Sequence, residues 1–271
     1  MRSLAIGIIT DEVSSNFREA VSLARMWGVS AFEIRSLQSG RIPVVDSMEL
    51  AEVREIVLRD RLAVSALSPG IFKQSVLNEA AIEREINNVL PETIEVAKTL
   101  KTKLIIVFGF QREKAEPPEN LDRAVQYIKR AANIAERNGL RIAVENEPGF
   151  WCDSGSATSD IIRRVGLKAA GANWDPANAI GTGERPYPEG YSAIRNFVMN
   201  VHVKDTTESA LRGCVPVGEG VVDWPGQIKA LANDGTVGLL TIETHCPPLA
   251  ENSLKNVRTV QKYLKEIGLD N

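Results

Sequence analysis

Four short segments in the second half of the chain hold the side chains best suited to chemistry: Glu145-Asn146-Glu147, Asn173-Trp174-Asp175, His202-Val203-Lys204-Asp205 and Glu243-Thr244-His245. Both histidines of the chain fall inside them. Each segment ends a short apolar run, and parity decides which of its side chains can meet, because residues two apart share one face of a strand. Val201 and Val203 point one way, which turns His202 and Lys204 the other; Leu240 and Ile242 do the same for Glu243. Ile142 and Val144 oppose Ala143, Glu145 and Glu147, and Trp174 opposes Gly171, Asn173 and Asp175. Four consecutive strands thus each offer one inward donor: Glu145, Asp175, His202 and Glu243.

Three carboxylates meeting at one point repel, and burying each unpaired costs on the order of several kcal/mol. One divalent cation resolves the conflict. Three oxygens and an imidazole suit Mn²⁺, Mg²⁺ or Co²⁺ and can also hold Zn²⁺. One step deeper on the same strands lie Ala143, Asn173, Asn200 and Thr241, small or hydrogen-bonding residues able to orient the ligands.

Such a constellation needs a scaffold that brings strand ends together. Strands are expected at 4–10, 31–37, 63–69, 104–110, 141–148, 169–176, 198–205 and 239–245, and helices at 16–27, 47–60, 81–100, 121–138, 156–165, 191–197, 225–233 and 253–267. The strand starts recur every ~34 residues, the size of a strand plus a crossover helix. Eight such units in 271 residues predict an α/β fold, a (β/α)₈ TIM barrel, as one domain over 1–271. A doubly wound open sheet would place a glycine-rich turn after its first strand, and Thr10-Asp11-Glu12-Val13 is not one.

Composition narrows the partners. Lys and Arg number 32 against 35 Asp and Glu, a net charge of -3 that offers no general attraction to nucleic acid or an anionic membrane. No apolar run approaches a bilayer span, and Met1-Arg2-Ser3 leads into the first strand without a signal-peptide pattern, so a cytoplasmic location is expected. Cys152, Cys214 and Cys246 are an odd trio without CxxC spacing, read as idle thiols. The expected partner is a small molecule, and a homo-oligomer is compatible with this reading.

Taken together, VENEP at 144–148, NWDPAN at 173–178, VHVKD at 201–205, GEGVVDW at 218–224 and TIETH at 241–245 resemble the sugar isomerase/epimerase superfamily of xylose-isomerase-like TIM barrels. That superfamily includes ketose 3-epimerases, hydroxypyruvate isomerase and inosose dehydratase. The resemblance covers nearly the whole chain. It implies a single metal on Glu145, Asp175, His202 and Glu243, with Glu145 and Glu243 as the acid/base pair on opposite sides of a sugar or polyol ketone. A metal that chelates a carbonyl and its neighbouring hydroxyl acidifies the C–H at the hydroxyl-bearing carbon and stabilises an enediolate. Proton return to the opposite face then epimerises, and transfer to the neighbouring carbon isomerises.

The chain also departs from the pattern. Many members carry histidine three residues after the metal-binding aspartate, where this chain has Asn178, which can donate to a hydroxyl but cannot carry a proton. Two histidines are too few for the trinuclear zinc site of AP-endonuclease relatives.

Lys204 and His245 sit one step above His202 and Glu243 and are candidates for substrate contact. Their structural readings are a salt bridge from Lys204 to Glu147 or Asp205 and a satisfied loop histidine. Glu33 and Arg35 face inward at the end of the second strand, as a fixed pair or as partners of substrate hydroxyls. Gly218-Glu219-Gly220 reads as a tight turn at the rim, and Phe72, Phe150 and Trp151 as loop anchors or sugar walls. Three alternatives to an isomerase or epimerase remain: a metal-dependent dehydratase or lyase, a Schiff-base enzyme using Lys204, and a sugar-binding barrel without turnover.

Overall fold

The computed structural model describes residues 3–113, 115–208 and 213–269; Met1 and Arg2, part of the N-terminal reading, lie outside them. Eight parallel strands close into a barrel: β1 (Ala5–Ile9), β2 (Ala31–Ile34), β3 (Ala63–Leu67), β4 (Leu104–Phe108), β5 (Arg141–Glu145), β6 (Ala170–Trp174), β7 (Val198–Val203) and β8 (Leu239–Ile242). Each strand pairs with its sequence neighbours, and β1 pairs with β8 to close the ring. All eight expected strands are present.

Around the ring lie α1 (Phe17–Met26), α2 (Ser47–Arg59), α3 (Glu79–Arg84), α4 (Leu90–Thr99), α5 (Glu119–Arg137), α6 (Gly155–Val165), α7 (Tyr191–Ile194), α8 (Trp224–Asp234) and α9 (Leu249–Glu266). The single helix expected over 81–100 is α3 and α4 joined by a wider π turn at Glu85–Val89. Pro91 at the start of α4 has no N–H for the regular ladder, so the helix continues by widening. Helix α9 begins four residues before the expected 253. Its first turn, Leu249-Ala250-Glu251-Asn252, follows Pro247-Pro248 and reads as a loop, but Asn252 Nδ2 donates to the Cys246 carbonyl and Ser253 Oγ to that of Glu12, which locks this turn onto the strand ends.

Outward residues such as Val201, Val203, Leu240, Ile242, Ile142 and Val144 join the strand-to-helix core. Ala66, Leu104, Ile106 and Ala143 fill the lower barrel interior. Trp174 also faces outward, its indole N–H donating to Gln227 of α8 at 2.9 Å. The polar strand ends are therefore left to converge at one mouth, as expected for this architecture. No helix among the described residues is long and apolar enough to cross a membrane.

Candidate metal centre

At the C-terminal mouth, one donor atom each from Glu145, Asp175, His202 and Glu243 lies within 4.8 Å of the other three, and all four residues are buried. Register places them there: Glu145 pairs with Asn173 on β6, Asn173 with Asn200 on β7, and His202 with Thr241 on β8. Beneath them runs a chain of hydrogen bonds in which Thr241 donates to Asn200, Asn200 to Asn173, and the Asn173 amide to His202 Nδ1 at 3.0 Å.

Glu33 lies beneath the cluster, fully buried, with its oxygens 3.0 and 3.1 Å from His202 Nε2. Ser68 and Asn200 also donate to it. This network assigns the ring proton to Nε2 and leaves Nδ1 facing Glu145 Oε1 at 3.5 Å and Glu243 Oε2 at 3.4 Å. Glu33 therefore does not line the pocket, and it pairs with His202 rather than with Arg35. Arg35 instead donates to Asp11 (2.8 Å), Glu12 (2.7 Å) and Glu243 (3.2 Å), a contact set hidden from parity because Asp11 and Glu12 lie on the β1 loop.

Asp175 divides its oxygens. Oδ1 accepts from the Ala177 and Asn178 backbone N–H groups, while Oδ2 is buried and lacks a well-aligned hydrogen bond, with Lys204 Nζ 2.8 Å away. Asn146 stitches β5 to β6 by exchanging bonds with the Asp175 backbone, and the Asn178 amide donates to the Asn146 carbonyl. Lys204 also donates to Glu243 at 3.1 Å, so its partners are Asp175 and Glu243, not Glu147 or Asp205.

The electrostatics follow from crowding. Burial alone would discharge Lys204, but the Asp175 and Glu243 carboxylates hold it well above its usual pKa. Burial would raise Glu243, yet the Lys204 and His245 charges hold it well below the usual carboxylate range. Burial leaves Asp175 raised against the pull of Lys204. Burial, then repulsion from Glu145, pushes Glu147 up to about 7.

His245 sits above Glu243, its Nδ1 2.8 Å from Glu12 Oε1 and its Nε2 3.7 Å from Glu243 Oε1. Its backbone is left-handed (φ 54°), held by its N–H donating to Glu12 Oε2. Asp205, by contrast, is spent on architecture. Its carboxylate accepts from the backbone N–H groups of Thr206, Gly218, Gly220 and Val222, clasping the GEGVVDW loop to the end of β7. A Cβ at Gly220 would lie 2.1 Å from Asp205 Oδ1, which is why that position is glycine. Phe72 stacks on Phe110 at 4.5 Å in the interior as a loop anchor, and Phe150 lies tilted against Phe108.

The mouth encloses a cavity of about 300 Å³ lined by Glu145, Asn178, His202, Lys204, Glu243 and His245 together with Arg41, Lys73, Phe108 and Glu147. Arg41 and Lys73 carried no sequence signal, since Arg41 comes from a two-residue hairpin strand after β2 and Lys73 from the loop after β3. A buried set of three carboxylates and one imidazole, with a carboxylate oxygen lacking an aligned partner, fits a divalent cation.

Among solved structures, the chain resembles a D-tagatose 3-epimerase-like protein (TM-score 0.80, 18% identity, 97% of this chain and 98% of that one). It is also similar to the IolI protein with a bound zinc atom (TM-score 0.79, 18% identity, 97% and 99%). A third neighbour is the probable 3-DHS dehydratase AsbF of Bacillus anthracis (TM-score 0.78, 15% identity, 96% and 99%). These likenesses establish the fold. A curated relative, the uncharacterised protein MJ1188 of Methanocaldococcus jannaschii, is 23% identical over 235 residues, 80% of this chain and 79% of that protein. The profile of the xylose isomerase-like TIM barrel matches residues 21–267, and the chain belongs to that family.

Proposed function

We propose that this protein is a metal-dependent isomerase or epimerase of a sugar or sugar-like hydroxy-carbonyl compound. The observation that carries this reading is the buried convergence of Glu145, Asp175, His202 and Glu243 at the floor of an open pocket. The structural neighbours, a D-tagatose 3-epimerase-like protein and a barrel with a bound zinc atom among them, support the same class. These four residues would hold the cation, which when bound would polarise a carbonyl and acidify the adjacent C–H.

The chain's own groups supply the rest. Glu145 ends β5 and Glu243 follows β8, and in this reading their carboxylates act on a ligand from two sides. One removes the proton and the other returns it. Lys204 and Arg35 keep Glu243 ionised and ready to accept. Glu33 holds His202 in one tautomer, and the polar layer below keeps the ring from turning. Asn178 and Lys204 line the pocket within reach of hydroxyls.

A dehydratase is the second reading, favoured by the Glu12–His245 contact. Glu12 Oε1 holds His245 Nδ1 at 2.8 Å in the pocket wall, where an imidazole N–H can give a proton to a departing β-hydroxyl.

The test is proton exchange in D₂O with the metal-loaded protein and a panel of ketoses, followed by NMR. Deuterium should enter at the carbon beside the carbonyl, and Glu145→Gln or Glu243→Gln should slow uptake by ~10²–10⁴. Uptake unaffected by either change would overturn the assignment. Appearance of an ultraviolet-absorbing enone would select the dehydratase.

A further inference from the structure

Four Lys and Arg side chains line the pocket, and they divide into two kinds. Arg35 and Lys204 are held by carboxylates at 3.2 Å or less. Arg41 and Lys73 have no carboxylate within 4.0 Å among the described residues. Arg41 is half-buried, and burial together with the Arg35 charge works against its guanidinium, only partly offset by the more distant Asp11, Glu145 and Glu243 carboxylates. Its Nε donates to the Ser68 carbonyl at 3.0 Å, which fixes the group while leaving the two terminal nitrogens for another partner. A Cβ at Gly70 would lie 3.0 Å from that Nε, so the guanidinium rests against a bare stretch of backbone that a side chain would obstruct. Lys73 Nζ sits 4.0 Å above the Phe108 ring centroid, a second cation held against an aromatic face, with the Glu147 carboxylate only at longer range.

Topology separates these two from the donor cluster. Arg41 follows β2 and Lys73 follows β3, and in the closed ring β2 lies opposite β6 and β3 opposite β7. Asp175 and His202 are on the far side. A ligand with its carbonyl on the donor cluster therefore extends its other end toward Arg41 and Lys73. A guanidinium fork and an ammonium lining one pocket, neither with a carboxylate within 4.0 Å among the described residues, are suited to a carboxylate or a phosphate, and a neutral hydroxyl would leave both without a close ion pair. The cavity, about 300 Å³, suits a small ligand of sugar size.

We propose that the substrate carries an anionic end group, carboxylate or phosphate, gripped by Arg41 and Lys73 at the β2–β3 side of the mouth. This rests on the hydroxy-carbonyl reading above and narrows it to anionic substrates.

Calorimetric titration of the metal-loaded protein with three six-carbon probes tests it: D-fructose, D-fructose 6-phosphate and 5-keto-D-gluconate. At least one anionic probe should bind ~10-fold or more tightly than D-fructose, and the one that gains identifies phosphate or carboxylate as the end group. Arg41→Gln and Lys73→Gln should each shrink that preference by ~5-fold or more, as should raised salt. Lys73 is exposed, so its variant reads the effect even if the Arg41 change disturbs folding. The inference is overturned if D-fructose binds as tightly as both anions, if neither anion binds, or if the two changes weaken all three probes equally. Deuterium uptake into the bound probes reports the chemistry separately: an anion preference with no uptake keeps this inference and removes the enediolate.

Discussion

Glu33 Oε2 lies 3.0 Å from His202 Nε2, with both side chains buried beneath the pocket floor. The pair explains how an imidazole in a carboxylate-rich site keeps one orientation. Nε2–H donates to Glu33, and Nδ1 faces the space it shares with Glu145 Oε1 and Glu243 Oε2, 3.5 and 3.4 Å away. A carboxylate behind a ligating imidazole also raises its basicity.

Removing that carboxylate should therefore act on metal affinity. Glu33→Ala is expected to weaken metal binding ~10–100-fold in competition with a chromophoric chelator. Glu33→Gln keeps an acceptor for Nε2–H and should lose less. Equal affinities in all three proteins would show that Glu33 only fills space.

Asp205 should behave as a structural anchor. An amide at this position offers one acceptor oxygen in place of two, so Asp205→Asn orphans two of the four backbone donors it now satisfies. The cost is about 1–3 kcal/mol per orphaned donor, read as a lower urea midpoint. An unchanged midpoint would mean that the loop does not depend on this clasp.

The pH dependence of stability has a contributor outside the site. Burial raises the Glu85 pKa above its ordinary value, only partly offset by donors from Gln74 and the Phe72 backbone. A carboxyl with a folded pKa above its unfolded one favours the folded state only while protonated; its penalty is absent below the unfolded value of 4.5 and builds as pH rises through the folded value. Glu85→Gln should raise the urea midpoint at pH 8, with the gain vanishing near pH 4. A difference from the wild-type protein that stays constant across that range would contradict the assignment.

Much of the barrel was legible because strand parity and the recurring spacing of the strands are local properties. Parity alone put Glu145, Asp175, His202 and Glu243 on one face of four consecutive strands. The same reasoning could not see Glu33 beneath His202, because the partner of an inward side chain depends on how the barrel closes. Asp11, Glu12, Arg41 and Lys73 lie on loops or after short hairpins, where no periodicity fixes direction. Asp205 and the GEGVVDW loop were each visible, but their connection runs through backbone N–H groups that leave no side-chain pattern. The early start of α9 was hidden for a related reason, since its first turn is held by polar bonds rather than by an apolar stripe.

Metal content tests the central claim most directly. The protein, stripped with a chelator, reloaded with Mn²⁺ and freed of excess, should retain about one ion per chain by elemental analysis, and Asp175→Asn or His202→Ala should retain almost none. Absence of stoichiometric metal in the wild-type protein, or equal retention in these variants, would contradict the metal centre on which the proposed chemistry depends.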